Sequence, residues 1–114
     1  MNNKISDVLC NQVIDIALVV KEIDGTPIHV SSPAIENVKR FLNRVNSVIT
    51  FVQTLFTDYE AERVDETFVN DKMCELLYTL MKYKNSYKPG NLAYKYMNSL
   101  LDIATETFVE LNND

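Results

Sequence analysis

Turn-forming residues are scarce in this chain, which has two glycines and three prolines among 114 residues. A β-sandwich or barrel needs many short strands joined by turns rich in these residues, whereas a helical protein needs few turns. The apolar content of 46% is that of an ordinary globular protein, and the length suits one domain. We therefore predict a single helical domain over residues 1–114.

The spacing of apolar residues is typical of an antiparallel four-helix bundle. The pattern is clearest in the second helix, where Ser32 can act as the N-cap, Pro33 suits the first helical position and the exposed face of the first half is basic. Pro89 and Gly90 predict a loop before the last helix. The predicted helices span residues 4–23, 33–57, 60–84 and 91–111.

The start of the third helix is predicted from a local motif. Thr57-Asp58-Tyr59-Glu60 has the form of a capping box, in which the Thr and Glu side chains satisfy the first backbone N–H groups of a helix. An acidic run follows, and acidic residues suit the positive end of a helix dipole. These residues favour a bend at Thr57, although it stays open whether residues 58–66 join the third helix smoothly.

The first segment also allows a different fold. Asp24-Gly25 is typical of a tight hairpin turn, and the β-branched residues on both sides of it could form two strands. The alternative fold is therefore α+β, with an N-terminal β-hairpin and three helices. We favour the helix, because Asp15 and Lys21 interrupt strict alternation and Pro27 weakens the second strand.

The first helix is apolar over more than one face. Between Val13 and Val20 only Asp15 is polar. A helix that is apolar nearly all round is buried on more than one side. We expect this helix either to be central in the bundle or to form a homodimer with a second copy.

Residues that catalyse reactions or bind metals are few. His29 is the only histidine and falls in a predicted connector, while Cys10 and Cys74 lie in apolar segments and are predicted to be buried, reduced thiols. Only Gly25 and Gly90 are present, so no glycine-rich phosphate loop exists. We expect no enzyme activity, no cofactor and no metal.

An acidic cluster supports one enzymatic alternative. All-helical nucleotide pyrophosphohydrolases hold magnesium with carboxylates on bundle helices, and Glu62, Asp65, Glu66 and Asp71 could act in this way. The second pair of glutamates that such enzymes need is missing from the chain. A solvated helix start explains the same residues, so the hydrolase is our second alternative.

The segment from Leu76 to Leu101 differs most from the rest of the chain. It holds no carboxylate, four lysines and five of the six tyrosines, which leaves a net charge of −9 on the other 88 residues. Tyrosine and lysine together favour a surface that contacts a partner. The alternative is that the rings half-bury beside the core, Tyr78 and Tyr94 among them, while the lysines complement a helix C-terminus. The predicted partner-binding residues are Lys82, Tyr83, Lys84, Tyr87, Lys88, Lys95 and Tyr96.

These patterns predict a small binding protein that occupies the surface of a protein partner, as an inhibitor, adaptor or immunity protein does. The first alternative is a nucleic-acid-binding module that uses the same lysines and tyrosines. No apolar run is long enough to span a membrane, and charged residues interrupt the N-terminal segment, so we expect a cytoplasmic protein. Abundant asparagine and the lack of tryptophan are typical of an AT-rich genome, such as that of a low-GC bacterium or a virus.

Overall fold

The computed structural model describes residues 3–26 and 35–113, with the side chain of Ile35 left out. These residues form four helices, which confirms the predicted four-helix bundle. The predicted cap at Ser32, the proline at position 33 and His29 lie outside the described residues. The helices are α1 (Asn3–Asp24), α2 (Ile35–Glu60), α3 (Glu66–Asn85) and α4 (Leu92–Leu111).

The β-hairpin alternative is wrong, because residues 13–23 are helical. Backbone N–H groups of Gly25 and Thr26 donate to the carbonyls of Lys21 and Ile23, so the Asp-Gly pair ends α1 and does not turn a hairpin. Helical spacing lets α1 bury Leu9, Ile16 and Ile23 on one side. The predicted second strand lies in the part of the chain that the structure leaves undescribed.

The predicted bend at Thr57 is also wrong. Helix α2 continues to Glu60, and this extra turn buries Tyr59, which is 4% exposed. The turn that follows is a Schellman motif, in which Arg63 N–H donates to Asp58 O and Glu62 N–H donates to Tyr59 O. The next helix therefore begins six residues later than predicted.

Asp65 supplies the N-cap that the sequence motif assigned to Thr57. Its Oδ1 accepts a hydrogen bond from the backbone N–H of Phe68 at 2.9 Å. Glu62 has a φ of 58°, so a non-glycine residue occupies the left-handed position of the turn. Two acidic residues of the predicted cluster thus form the connection between α2 and α3.

One buried core joins all four helices. Helix α1 packs against both α2 and α4, and α3 packs most extensively against α4. Between α2 and α3 the packing is sparser, and a groove of about 580 Å³ runs past Phe51, Leu55 and Phe68. The largest fully buried side chains are Leu9, Gln12, Ile16, Val48, Val52, Val69, Met73, Leu80, Met97 and Leu100.

The two cysteines differ from their predicted burial. Cys10 is half-buried in α1, and Cys74 is exposed on α3. Cys74 lies one position after buried Met73, where the helix surface turns towards solvent. Of the helices in the described ranges, none is both long and apolar enough to cross a membrane.

Candidate functional site

The predicted binding residues surround the turn between α3 and α4. The turn closes through Tyr87 N–H to Lys84 O at 3.1 Å and Asn91 N–H to Lys88 O at 3.0 Å. Asn91 caps α4, since its Oδ1 accepts from the N–H of Ala93. Gly90 has a φ of 93°, a conformation that glycine adopts without strain. The predicted loop at Pro89 and Gly90 therefore positions this end of the bundle.

Arg44, which lies in α2 and outside the α3–α4 hairpin, contacts the tyrosines. The guanidinium of Arg44 in α2 lies 4.7 Å from the ring centroid of Tyr83 and 5.5 Å from that of Tyr87. The same group donates to Ser86 Oγ at 2.7 Å and to Tyr87 Oη at 3.1 Å. We call Arg44, Tyr83, Ser86 and Tyr87 the arginine–tyrosine cluster. Its cation–π contacts and hydrogen bonds fix the guanidinium in one place.

Tyr96 corrects the predicted set. Its side chain is 5% exposed, so it cannot provide contact area to a partner. The ring lies beside Phe41 with centroids 6.5 Å apart, and the hydroxyl shares a hydrogen bond of 3.0 Å with Thr26 Oγ1. Tyr87 reaches the same Phe41 by an edge contact at 6.1 Å. The core therefore supports the arginine–tyrosine cluster from beneath.

Tyr78 differs in the opposite direction, because it is 64% exposed and does not half-bury beside the core. Lys82 lies over its ring at 4.7 Å, one turn further along α3. Lys84 lies 5.5 Å from the ring of Tyr94, which is half-buried across the α3–α4 contact. The predicted set is thus split: Tyr83 and Tyr87 join Arg44, while Lys82 and Lys84 pair with other rings.

A cleft opens next to the arginine–tyrosine cluster. It has a volume of about 230 Å³ and is lined by Asn37, Arg40, Arg44, Ser86, Tyr87 and Asn91. Arg40 is exposed, and both arginines line the same cleft as Ser86 and Tyr87. Guanidinium groups bind carboxylate and phosphate through paired hydrogen bonds. This arrangement is suited to an anionic group on a partner.

Arg40 and Arg44 were absent from the predicted site. They precede Ser86 by more than 40 residues, so no local motif links them to the tyrosines. The signal that could have found them is the topology: in an antiparallel bundle, the start of α2 and the α3–α4 turn lie at the same end. The basic outer face predicted for α2 therefore belongs beside the lysines and tyrosines.

Charge is separated along the bundle, which is 49 Å long. Seven of the eleven lysines and arginines belong to the start of α2, the end of α3, the turn and the start of α4, and we call this region the basic end. The opposite end carries the α2–α3 turn with Glu60, Glu62, Asp65 and Glu66. The basic-end residues are Lys39, Arg40, Arg44, Lys82, Lys84, Lys88 and Lys95.

The carboxylates of the predicted magnesium site take other positions. Asp65 is committed to the cap of α3, and Glu62 lies in the Schellman turn. Within residues 3–26 and 35–113, no three histidine, cysteine, aspartate or glutamate side chains converge as metal ligands would. The acidic cluster therefore has an observed role in ending one helix and starting the next.

No family model matches this chain, and neither the curated proteins nor the solved structures include one that is similar to it.

Proposed function

We propose that this protein acts without catalysis and binds an acidic surface of a protein partner through its basic end. The observation that carries the proposal is the fixed guanidinium of Arg44, held by two tyrosine rings and two hydroxyl groups beside Arg40. A charged group already held in place loses little side-chain entropy on binding. Arginine and tyrosine are also enriched among residues that dominate binding energy.

The charge distribution supports an acidic partner. Lys88 and Arg40 are exposed, and the only carboxylate among the segments that form the basic end is Glu36, which pairs with Lys39 at 3.7 Å. Opposite charges steer two proteins towards each other and raise the association rate, while the acidic end repels the same partner. The molecule would therefore approach an acidic partner with its basic end first. Inhibitors, adaptors and immunity proteins act in this way, by occupying the surface of a partner protein.

The experiment compares two double variants with the same change of net charge. Arg40→Glu with Lys88→Glu reverses exposed charges at the basic end, and neither residue belongs to the core. Arg63→Glu with Lys72→Glu is the matched control at the acidic end. Arg63 forms an ion pair with Asp58, and Lys72 forms one with Glu75 and lies 5.5 Å from the ring centroid of Phe68. Each tagged protein is incubated with extract of its source cells, with and without nuclease, and the recovered proteins are quantified by mass spectrometry.

The proposal predicts a protein that the wild type and the control recover and the basic-end variant does not. Titration of the purified partner should then show binding weakened about ten- to hundredfold, since like charges at an interface cost several kcal/mol. Equal recovery by both variants would place the binding surface elsewhere. Recovery that disappears after nuclease treatment would favour nucleic acid as the ligand.

Nucleic acid remains the second candidate because of Tyr78. This exposed ring, with Lys82 above it, offers a stacking face next to a cation, as in proteins that bind single strands. The formal net charge of −5 opposes a polyanion, which is why we rank the candidate second. A gel shift at low salt with single- and double-stranded probes tests it, and the absence of a shift with both would exclude it.

A further inference from the structure

We propose that this protein binds a small organic acid, with the apolar body of the acid in a pocket between α1, α2 and α4 and its carboxylate in the cleft beside Arg40 and Arg44. The pocket has a volume of about 320 Å³, within the ~300–1,000 Å³ of small-molecule sites. We call it the apolar pocket, and we call the neighbouring cleft of about 230 Å³ the arginine cleft. Such a site needs no protein partner, so it is independent of the function proposed for the basic end.

The apolar pocket is lined by both buried and exposed apolar side chains. Ile23, Phe41 and Tyr96 belong to the core, and each is at most 7% exposed. Leu92, the first residue of α4, also lines the pocket and is 52% exposed. The Tyr96 hydroxyl already shares a hydrogen bond of 3.0 Å with Thr26 Oγ1. An apolar chain can therefore leave water here without separating these polar atoms from a partner.

The apolar pocket and the arginine cleft adjoin each other. Asn37, Tyr87 and Asn91 line both cavities. Asn37 and Asn91 are exposed, so the boundary between the two cavities is accessible from solvent. One small molecule can therefore place its apolar body in the first cavity and its charged group in the second.

The arginine cleft has hydrogen-bond donors left for a carboxylate. Nη1 of Arg44 donates to both Ser86 and Tyr87, which uses two of the five N–H groups of a guanidinium. Arg40 is exposed and forms no ion pair with another residue that the structure describes. A guanidinium donates paired hydrogen bonds to a carboxylate. Charge complementarity therefore selects an acid as the ligand.

The larger groove between α2 and α3 lacks this complementarity. The charged residues that line it are Asp58 and Lys72, which have opposite signs. Asp58 is paired with Arg63, and Lys72 is paired with Glu75. An acid gains no favourable charge there, although the groove has a volume of about 580 Å³. The groove is therefore an internal control for unspecific binding of an apolar chain.

The experiment is a titration of the isotope-labelled full chain with octanoate, followed by two-dimensional amide NMR. We expect a Kd on the order of 1 mM, because a ligand of about ten non-hydrogen atoms binds with modest affinity. Concentrations from about 0.1 to about 10 mM bracket this Kd. The backbone amide signals of Asn37, Ser86 and Ala93 should shift, because these residues line the two cavities, whereas those of Phe51 and Phe68 in the larger groove should not.

Two comparison ligands separate the contributions of the two cavities. Octanamide keeps the apolar chain and lacks the charge, while propanoate keeps the charge and lacks most of the chain. Octanamide should bind about tenfold more weakly than octanoate, since charge-assisted hydrogen bonds are stronger than neutral ones. Propanoate should bind more than about tenfold more weakly, because each buried methylene raises affinity about three- to fourfold.

Two variants with matched controls assign these contributions to residues. Ala93→Leu should weaken octanoate and octanamide alike by about tenfold, because the added side chain takes the place of roughly two methylenes of the ligand, whereas Ala17→Leu on the exposed surface of α1 should not. Arg40→Gln should weaken octanoate about three- to tenfold and leave octanamide unchanged, whereas Arg63→Gln should affect neither ligand. Circular dichroism confirms that each variant is helical.

Four results would overturn the proposal. Unchanged signals up to about 10 mM octanoate would mean that the protein has no such site. Shifts centred on Phe51 and Phe68 would place the acid in the larger groove. Equal affinity for octanoate and either comparison ligand would mean that one of the two cavities takes no part. Equal weakening by Arg40→Gln and Arg63→Gln would mean that net charge alone decides.

Discussion

Gln12 is the one described side chain whose buried polar atom lacks a hydrogen-bond partner. It is 1% exposed in the core between α1 and α3, where its Nε2 lies 3.6 Å from Met73 Sδ and its Oε1 has no partner among the described residues. A buried, unpaired carbonyl oxygen costs about 1–3 kcal/mol of stability. Replacing Gln12 by Met keeps an unbranched side chain of similar shape and removes the unpaired oxygen.

We expect Gln12→Met to raise the free energy of unfolding. The variant loses the weak contact between the amide N–H and sulfur, but it no longer carries the desolvation cost of the buried amide. The free energy of unfolding should therefore rise by about 1–2 kcal/mol. For a chain of this size, the melting temperature should rise by about 4–8 °C. The assay is urea unfolding and thermal unfolding followed by far-UV circular dichroism.

Gln53→Met on the exposed surface of α2 is the control, and it should change stability by less than about 0.5 kcal/mol. A Gln12→Met protein that is equal to or less stable than the Gln53→Met protein would refute the reasoning. The amide would then stabilise the core, for instance through a bound water that satisfies Oε1.

Two further predictions concern the connection between α2 and α3. Asp65→Ala should lower stability by about 1 kcal/mol in urea unfolding, because the N–H of Phe68 loses its cap. The control Asp71→Ala on the same helix should change stability by less than about 0.5 kcal/mol. Equal effects of the two substitutions would mean that the cap is not the cause. Glu62→Gly should be more stable than Glu62→Ala by about 1 kcal/mol, because only glycine accepts the left-handed φ without strain, and the reverse order would contradict the observed turn.

Apolar periodicity predicted most of the fold. The ends of α1 and α4 agree with the predictions to within one residue at each end, since their buried residues recur at helical steps between polar ends. The predicted boundary between α2 and α3 was wrong because it rested on a capping motif, a local pattern that does not include tertiary packing. Burial of Tyr59 in the tertiary core extends α2 through the motif, and Asp65 then provides the cap.

The candidate site was predicted less completely. Local sequence identified the lysines and tyrosines, but it could not separate exposed Tyr78 from buried Tyr96, because the packing of α4 against Phe41 decides the second. Arg44 reaches the tyrosines only through the assembled bundle. The partner itself stays a prediction that rests on the chemistry of the basic end.

The packing of α1 against α4 has a consequence for the synthesis of the chain. These two helices are the first and the last of the bundle, and Lys4 Nζ donates to the carbonyl of Asn113 across their ends. While the ribosome is still adding α4, the core residues that α1 will bury against it have no cover. A contact between such distant segments is also slow to form, because the whole intervening chain must close as a loop. The nascent protein therefore completes its core only after its last helix has been made.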